Sequence, residues 1–174
     1  MSGLVALLLL VLAILGSGFT TTPKTAAPCR GSQLAGTFSV VRGSAGAGSI
    51  SYRLVLRNVS SATCTVTGLP QGRLLSQTGK ALPTHVRAAL PGALTAILVR
   101  LAPGARVYAT ARFSPDVPGV GEPVAGLRCE PTAYRLRVTA LGGGTTTVRV
   151  TPPTPVCEHG RLLFSAYSST AQRP

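Results

Sequence analysis

The stretch Ile50-Ser51-Tyr52-Arg53-Leu54-Val55-Leu56-Arg57 decides the fold. Ile50, Tyr52, Leu54 and Leu56 alternate with Ser51, Arg53, Val55 and Arg57. A period of two sends successive side chains to opposite faces of an extended strand. One face is apolar and the other wet, as an antiparallel sheet with one buried side requires. Other segments repeat the pattern. Val107, Ala109, Ala111 and Phe113 alternate with Arg106, Tyr108, Thr110 and Arg112. Tyr134, Leu136 and Val138 alternate with Arg135, Arg137 and Thr139, and Val148 and Val150 with Thr147, Arg149 and Thr151. Cys64 and Val66 share one face of a shorter strand whose other face is Thr63, Thr65 and Thr67, which turns Cys64 inward.

Turn residues punctuate these runs. Gly43-Ser44-Ala45-Gly46-Ala47-Gly48 joins a strand near 36–42 to one near 49–58. Pro103-Gly104 suits a type II turn between strands near 96–101 and 105–113. Gly142-Gly143-Gly144 closes a hairpin between 133–141 and 145–151. The spacing predicts about eight to ten short strands in an all-β sandwich or barrel. No segment carries a long amphipathic helical pattern, and residues 114–131 form the longest stretch without strand character. The chain's 174 residues suffice for one such domain.

The N-terminus reads as an export signal. Leu4 to Leu15 is an unbroken apolar run, short for a membrane span of roughly 20 residues but suited to a signal peptide. Gly16-Ser17-Gly18 offers small residues for cleavage before Phe19; an uncleaved tether through residues 4–15 is the alternative. The expected organisation is a signal or anchor at 1–18, a linker at 19–28, the β-sandwich at 29–168 and a polar tail at 169–174. In an exported chain, Cys29, Cys64, Cys129 and Cys157 are expected as disulfides. Of the three possible pairings, Cys29–Cys64 with Cys129–Cys157 is favoured, closing separations of 35 and 28 residues. A zinc site would want closely spaced Cys pairs, which these are not.

The stretch Leu54-Val55-Leu56-Arg57-Asn58-Val59-Ser60-Ser61-Ala62-Thr63-Cys64-Thr65-Val66-Thr67-Gly68-Leu69-Pro70 has a distinctive order. An apolar strand is followed by an Asn, a short polar turn, and Cys-x-apolar-x-Gly-x-Pro. With Pro103-Gly104, Cys129-Glu130-Pro131 and the late Cys157, it resembles the family known as domain of unknown function 4232, found mainly in exported and lipid-anchored actinobacterial proteins. The resemblance implies an immunoglobulin-like antiparallel β-sandwich outside the cytoplasmic membrane. It implies no activity and no functional residues. A lipid-anchor Cys after the apolar run is missing, and the chain is unusually rich in Arg.

Charge carries the functional expectation. Seventeen basic residues, fifteen of them Arg, face four acidic ones, for a net charge of +13. Ala, Gly, Arg and Pro rise together, as GC-rich coding produces, so the excess alone assigns no partner. Arg53, Arg57, Arg106, Arg112, Arg135, Arg137 and Arg149, however, all fall on expected outward faces. If several of these strands share a sheet, they make one basic surface for an anionic cell-wall polymer or lipid surface. Nucleic acid is the weaker option, since only Tyr108 offers a stacking ring among them.

Catalytic patterns are sparse. His85 reads as a loop residue, and His159 follows Glu158 in an order that would place the two on opposite faces of a strand. No Ser sits in a nucleophile elbow. The carboxylates Asp116, Glu122, Glu130 and Glu158 fall in loops, where they could balance Arg128. The Gly43–Gly48 loop lacks the Lys-Ser/Thr ending of a phosphate loop, and Asn58-Val59-Ser60 fits a glycosylation sequon but reads better as a turn leaving the strand. The expectation is a non-enzymatic extracytoplasmic binding module without a cofactor or metal. The alternatives are a hydrolase or metal-binding protein using His85 or His159, and an accessory domain that binds another envelope protein.

Overall fold

A computed structural model describes residues 25–93, 97–122, 129 and 131–171. The expected signal, membrane tether and most of the linker lie outside these residues, as do Arg128 and Glu130. Ten strands are described: β1 (Leu34–Val40), β2 (Ile50–Asn58), β3 (Cys64–Val66), β4 (Gln71–Leu75), β5 (His85–Ala88), β6 (Val99–Leu101), β7 (Arg106–Phe113), β8 (Ala133–Thr139), β9 (Thr145–Thr154) and β10 (Arg161–Phe164). Helical structure among the described residues is confined to short turns. The chain is an all-β sandwich.

Eight strands follow one another in the order β4-β8-β9-β1-β2-β7-β10-β5, and β3 pairs with β6. β9 is where this sheet folds over. Residues 145–149 pair antiparallel with β8, Val150 and Thr151 pair parallel with Phe38 and Ser39 of β1, and Thr154 returns to Ala133 of β8. One layer is then β4-β8-β9 and the facing layer is β1-β2-β7, an immunoglobulin-like arrangement. β10 and β5 extend the second layer beyond β7. The purely antiparallel sheet expected from the sequence is corrected at two pairs, β1 with β9 and β10 with β5, which run parallel.

The period-two reading places the core. Tyr52, Leu54, Leu56, Val107, Ala109, Ala111 and Phe113 are all buried between the layers, facing Leu136, Val138, Val148 and Val150. The Phe38 ring lies 5.1 Å from that of Tyr52, which lies 5.2 Å from that of Phe113. The Tyr52 hydroxyl donates to the Pro152 carbonyl at 2.8 Å, tying β2 to β9 across the core.

Three expectations are corrected. Tyr134 is not sealed in the core as Leu136 and Val138 are; Ala133 is buried and Tyr134 only half-buried. The cause is an irregularity in the β8–β9 ladder between Ala133 and Arg135. Thr65 is buried rather than wet. Its N–H donates to the Ala27 carbonyl and its carbonyl accepts from Cys29 N–H, both at 2.9 Å, so the end of the expected linker covers it. His85 opens edge strand β5 rather than lying in a loop.

Asn58 closes the first layer. It is fully buried at the end of β2. Its Nδ2 donates to the carbonyls of Ala62 at 2.8 Å and Leu101 at 2.9 Å, while its Oδ1 accepts from the N–H and hydroxyl of Ser60. Both ends of the amide are satisfied, as a buried polar group demands. The Ala102–Ala105 turn, bonded at 2.9 Å with Gly104 at φ 78°, is the expected type II turn. The favoured disulfides are both present, Cys29–Cys64 and Cys129–Cys157, with Cα–Cα distances of 4.8 and 5.2 Å.

Candidate functional site

The seven expected arginines do not form one surface. Arg53, Arg57, Arg106 and Arg112 belong to β2 and β7, where Arg57 and Arg106 are direct cross-strand partners. Arg135, Arg137 and Arg149 belong to β8 and β9, where Arg135 and Arg149 are direct partners. These are the two layers of the sandwich, so the sets point outward on opposite sides of the core. Six of the seven are exposed and Arg53 is half-buried. Alternation in a strand reports which residues face out, not which layer a strand joins, and that is why sequence reasoning merged them.

The β4-β8-β9 face gains a cation that the sequence reading missed. Arg73 is exposed on β4 and lies directly opposite Arg137. Arg73, Arg137, Arg135 and Arg149 therefore form a staircase across three strands. The missed signal was Leu74-Leu75 after the Gly68-Leu69-Pro70 turn, which marks a short strand carrying Arg73 outward. None of the four guanidinium groups donates a hydrogen bond to, or forms an ion pair with, a described residue. Like charges placed directly opposite on a sheet repel, and here no described carboxylate offsets them.

A hollow of about 360 Å³ opens beside this staircase, lined by Gln77, Tyr134, Arg135, Arg149, Val150, Thr151 and Pro153. It arises where β9 leaves β8. Only Tyr134 separates the paired residues Ala133 and Arg135 on β8, whereas residues 150–153 separate their partners Arg149 and Thr154 on β9. The departing β9 leaves a gap, and Tyr134 lines it. A second, open groove of about 310 Å³ includes Arg112, Arg161, Glu158 and Ser114. Its Arg161 is already paired with Glu158 at 3.2 Å.

The acidic residues have local work. Glu122 is buried and pairs with no described arginine. Its carboxylate accepts from the backbone N–H groups of Gly119 at 2.7 Å, Glu158 at 2.8 Å and His159 at 2.9 Å. Burial pushes its carboxyl up, but these three N–H donors and the nearby His159 outweigh that and hold it below the ordinary range. Glu158 and His159 are not on a strand as expected; both adopt left-handed backbone conformations, φ 53° and 57°. That turn aims consecutive N–H groups at one carboxylate, as a backbone nest does. The Glu122 carboxylate and the sulfurs of Cys129 and Cys157 lie within 4.8 Å of one another. The two sulfurs are bonded together and the carboxylate is engaged, so the group clasps the loop to the turn.

The His159 ring nitrogen lies 3.3 Å from the Val120 carbonyl, and His85 is exposed on β5. Neither ring forms a hydrogen bond with a described carboxylate or hydroxyl. Asn58 of the sequon is buried with both amide atoms engaged, which leaves no room for a glycan on the folded chain. The Gly43–Gly48 loop joins β1 to β2 as a hairpin connection. No described helix is long and apolar enough to cross a membrane.

The chain belongs to the family described as Domain of unknown function (DUF4232), which matches residues 29–166. No curated protein and no solved structure matches it.

Proposed function

We propose that this member of the DUF4232 family is an extracytoplasmic, non-enzymatic binding module that holds anionic cell-envelope material against the Arg73, Arg137, Arg135 and Arg149 face. The observation that carries this reading is the staircase itself. Four guanidinium groups stand in direct cross-strand register with no described carboxylate among them. An arrangement that costs stability through self-repulsion is relieved by a bound polyanion, and Arg matches phosphate and carboxylate bidentately. The two disulfides suit an oxidising compartment. Binding is favoured over hydrolysis because, among the described residues, neither the His85 nor the His159 ring is hydrogen-bonded to a carboxylate or hydroxyl that would make it a base.

Retention on polyphosphate tests the proposal. Binding is expected to weaken steeply with salt, since neutralised phosphates release counterions. Arg135→Gln with Arg149→Gln is expected to lower the slope of log affinity against log salt by about two, one for each phosphate no longer neutralised. Arg57→Gln with Arg106→Gln, on the other layer, should leave it nearly unchanged. Affinity that does not vary from low to high salt sinks the electrostatic reading, and equal losses from both pairs sink the assignment to this face.

A further inference from the structure

We infer that the hollow beside the arginine staircase is a recognition site for an anionic sugar, one hexose-sized unit bearing a carboxylate or a phosphate. The inference rests on the reading that this face takes anionic ligands, and adds what kind of unit it selects. The first observation is how Tyr134 comes to be there. Regular alternation would bury it with Leu136 and Val138. The ladder irregularity between Ala133 and Arg135 instead brings it to the hollow. Irregularities that re-aim one side chain cluster beside functional sites. Tyr134 is half-buried there rather than sealed in the core with Leu136 and Val138.

The second observation is the chemistry around that ring. Arg135 and Arg149, direct cross-strand partners, line the same hollow. They supply paired donors for one anionic group. Gln77 and Thr151 supply neutral amide and hydroxyl groups able both to donate to and accept from sugar hydroxyls. Tyr134 supplies a flat apolar surface with a polar rim, against which the C–H face of a pyranose can lie. Val150 and Pro153 complete the wall. The volume, about 360 Å³, falls at the small end of ligand sites. A bare phosphate would use the arginines and leave Tyr134, Gln77 and Thr151 idle. A single-stranded nucleic acid would call for a series of stacking rings along its path, and Tyr134 is the one ring lining this hollow.

The test titrates the oxidised protein with glucose 6-phosphate, glucuronate, glucose, adenosine 5′-phosphate, inorganic phosphate and polyphosphate, read by calorimetry and by NMR of the tyrosine rings. Glucose 6-phosphate and glucuronate are expected to bind at least about tenfold more tightly than glucose or inorganic phosphate. Tyr134→Ala is expected to erase that preference while leaving polyphosphate affinity within about twofold. Tyr134→Phe, which keeps the flat surface, should restore most of it. The inference is overturned if Tyr134→Ala leaves the affinity for anionic sugars unchanged. It is also overturned if inorganic phosphate binds as well as glucose 6-phosphate, or if adenosine 5′-phosphate binds more tightly. Polyphosphate binding without anionic-sugar binding removes this inference alone. Failure of both polyphosphate and sugars to bind removes the parent reading, and this one with it.

Discussion

Replacing Asn58 should unfold the domain more readily than its small side chain suggests. In Asn58→Ala the Leu101 carbonyl loses the amide donor at 2.9 Å, deep in the core beside a fully buried residue. An unsatisfied buried acceptor costs about 1–3 kcal/mol. The Ala62 carbonyl and the Ser60 N–H also lose their Asn58 partners, but both residues reach solvent. Water recovers part of those bonds, leaving roughly 0.5–1 kcal/mol each. The sum is about 2–5 kcal/mol, a large share of the roughly 5–15 kcal/mol that stabilises an ordinary domain. Asn58→Asp should cost at least as much, since a buried carboxylate would face two carbonyl oxygens. Ser60→Ala removes only one donor to Oδ1 and should cost about 0.5–1.5 kcal/mol. Urea unfolding of the oxidised proteins, followed by far-ultraviolet circular dichroism and extrapolated linearly, measures all three. A loss below about 1 kcal/mol for Asn58→Ala would refute the reasoning that this amide bridges β2, the β2–β3 loop and β6.

Further outcomes are expected. Each disulfide, removed by paired Cys→Ser substitution, should cost about 3.5–4 kcal/mol on the chain-entropy model for separations of 35 and 28 residues, read from denaturant midpoints. Non-reducing peptide maps should show only the Cys29–Cys64 and Cys129–Cys157 links. The lowered Glu122 carboxyl contributes stability that is present above its unfolded value of about 4.3 and is lost as pH falls through the lower folded value; Glu122→Gln should lose about 1–3 kcal/mol at pH 7 and flatten that acid limb of the stability profile. Arg135→Gln should raise stability by about 0.2–1 kcal/mol at low salt by removing repulsion from Arg149, with the gain fading at high salt. The same variant should bind polyphosphate less well, so its effects on stability and on binding carry opposite signs.

That opposition has a functional meaning under the proposed role. A face that repels itself when empty is stabilised on binding, so the ligand that fits it should raise the unfolding midpoint by mass action. The Glu122 clasp and the Cys129–Cys157 bridge hold a loop to a left-handed turn on another part of the domain. Their residues, rich in groups that would suggest catalysis, are engaged in positioning backbone.

Much of the architecture was legible in local pattern. Alternation along Ile50–Arg57 and Arg106–Phe113 specified strands and their buried faces, because side-chain direction in a strand follows from backbone geometry alone. Pro103-Gly104 specified its turn for the same local reason, the positive φ that Gly104 adopts. The order of residues from Leu54 to Pro70 carried the family. Local pattern could not say which layer each strand joins, since that depends on pairings between residues far apart in the chain. Arg57 and Arg149 look alike in sequence, yet lie on opposite sides of the core. The same limit hid the crossing of β9 from β8 to β1, which turns Tyr134 out of its expected place and opens the hollow. It also hid Glu122, whose three donors come from Gly119 nearby and from a turn more than thirty residues away. Backbone sterics act within a few residues and can be read from them; pairing and strand switching are settled by the packing of the whole chain, so only the tertiary structure decides them.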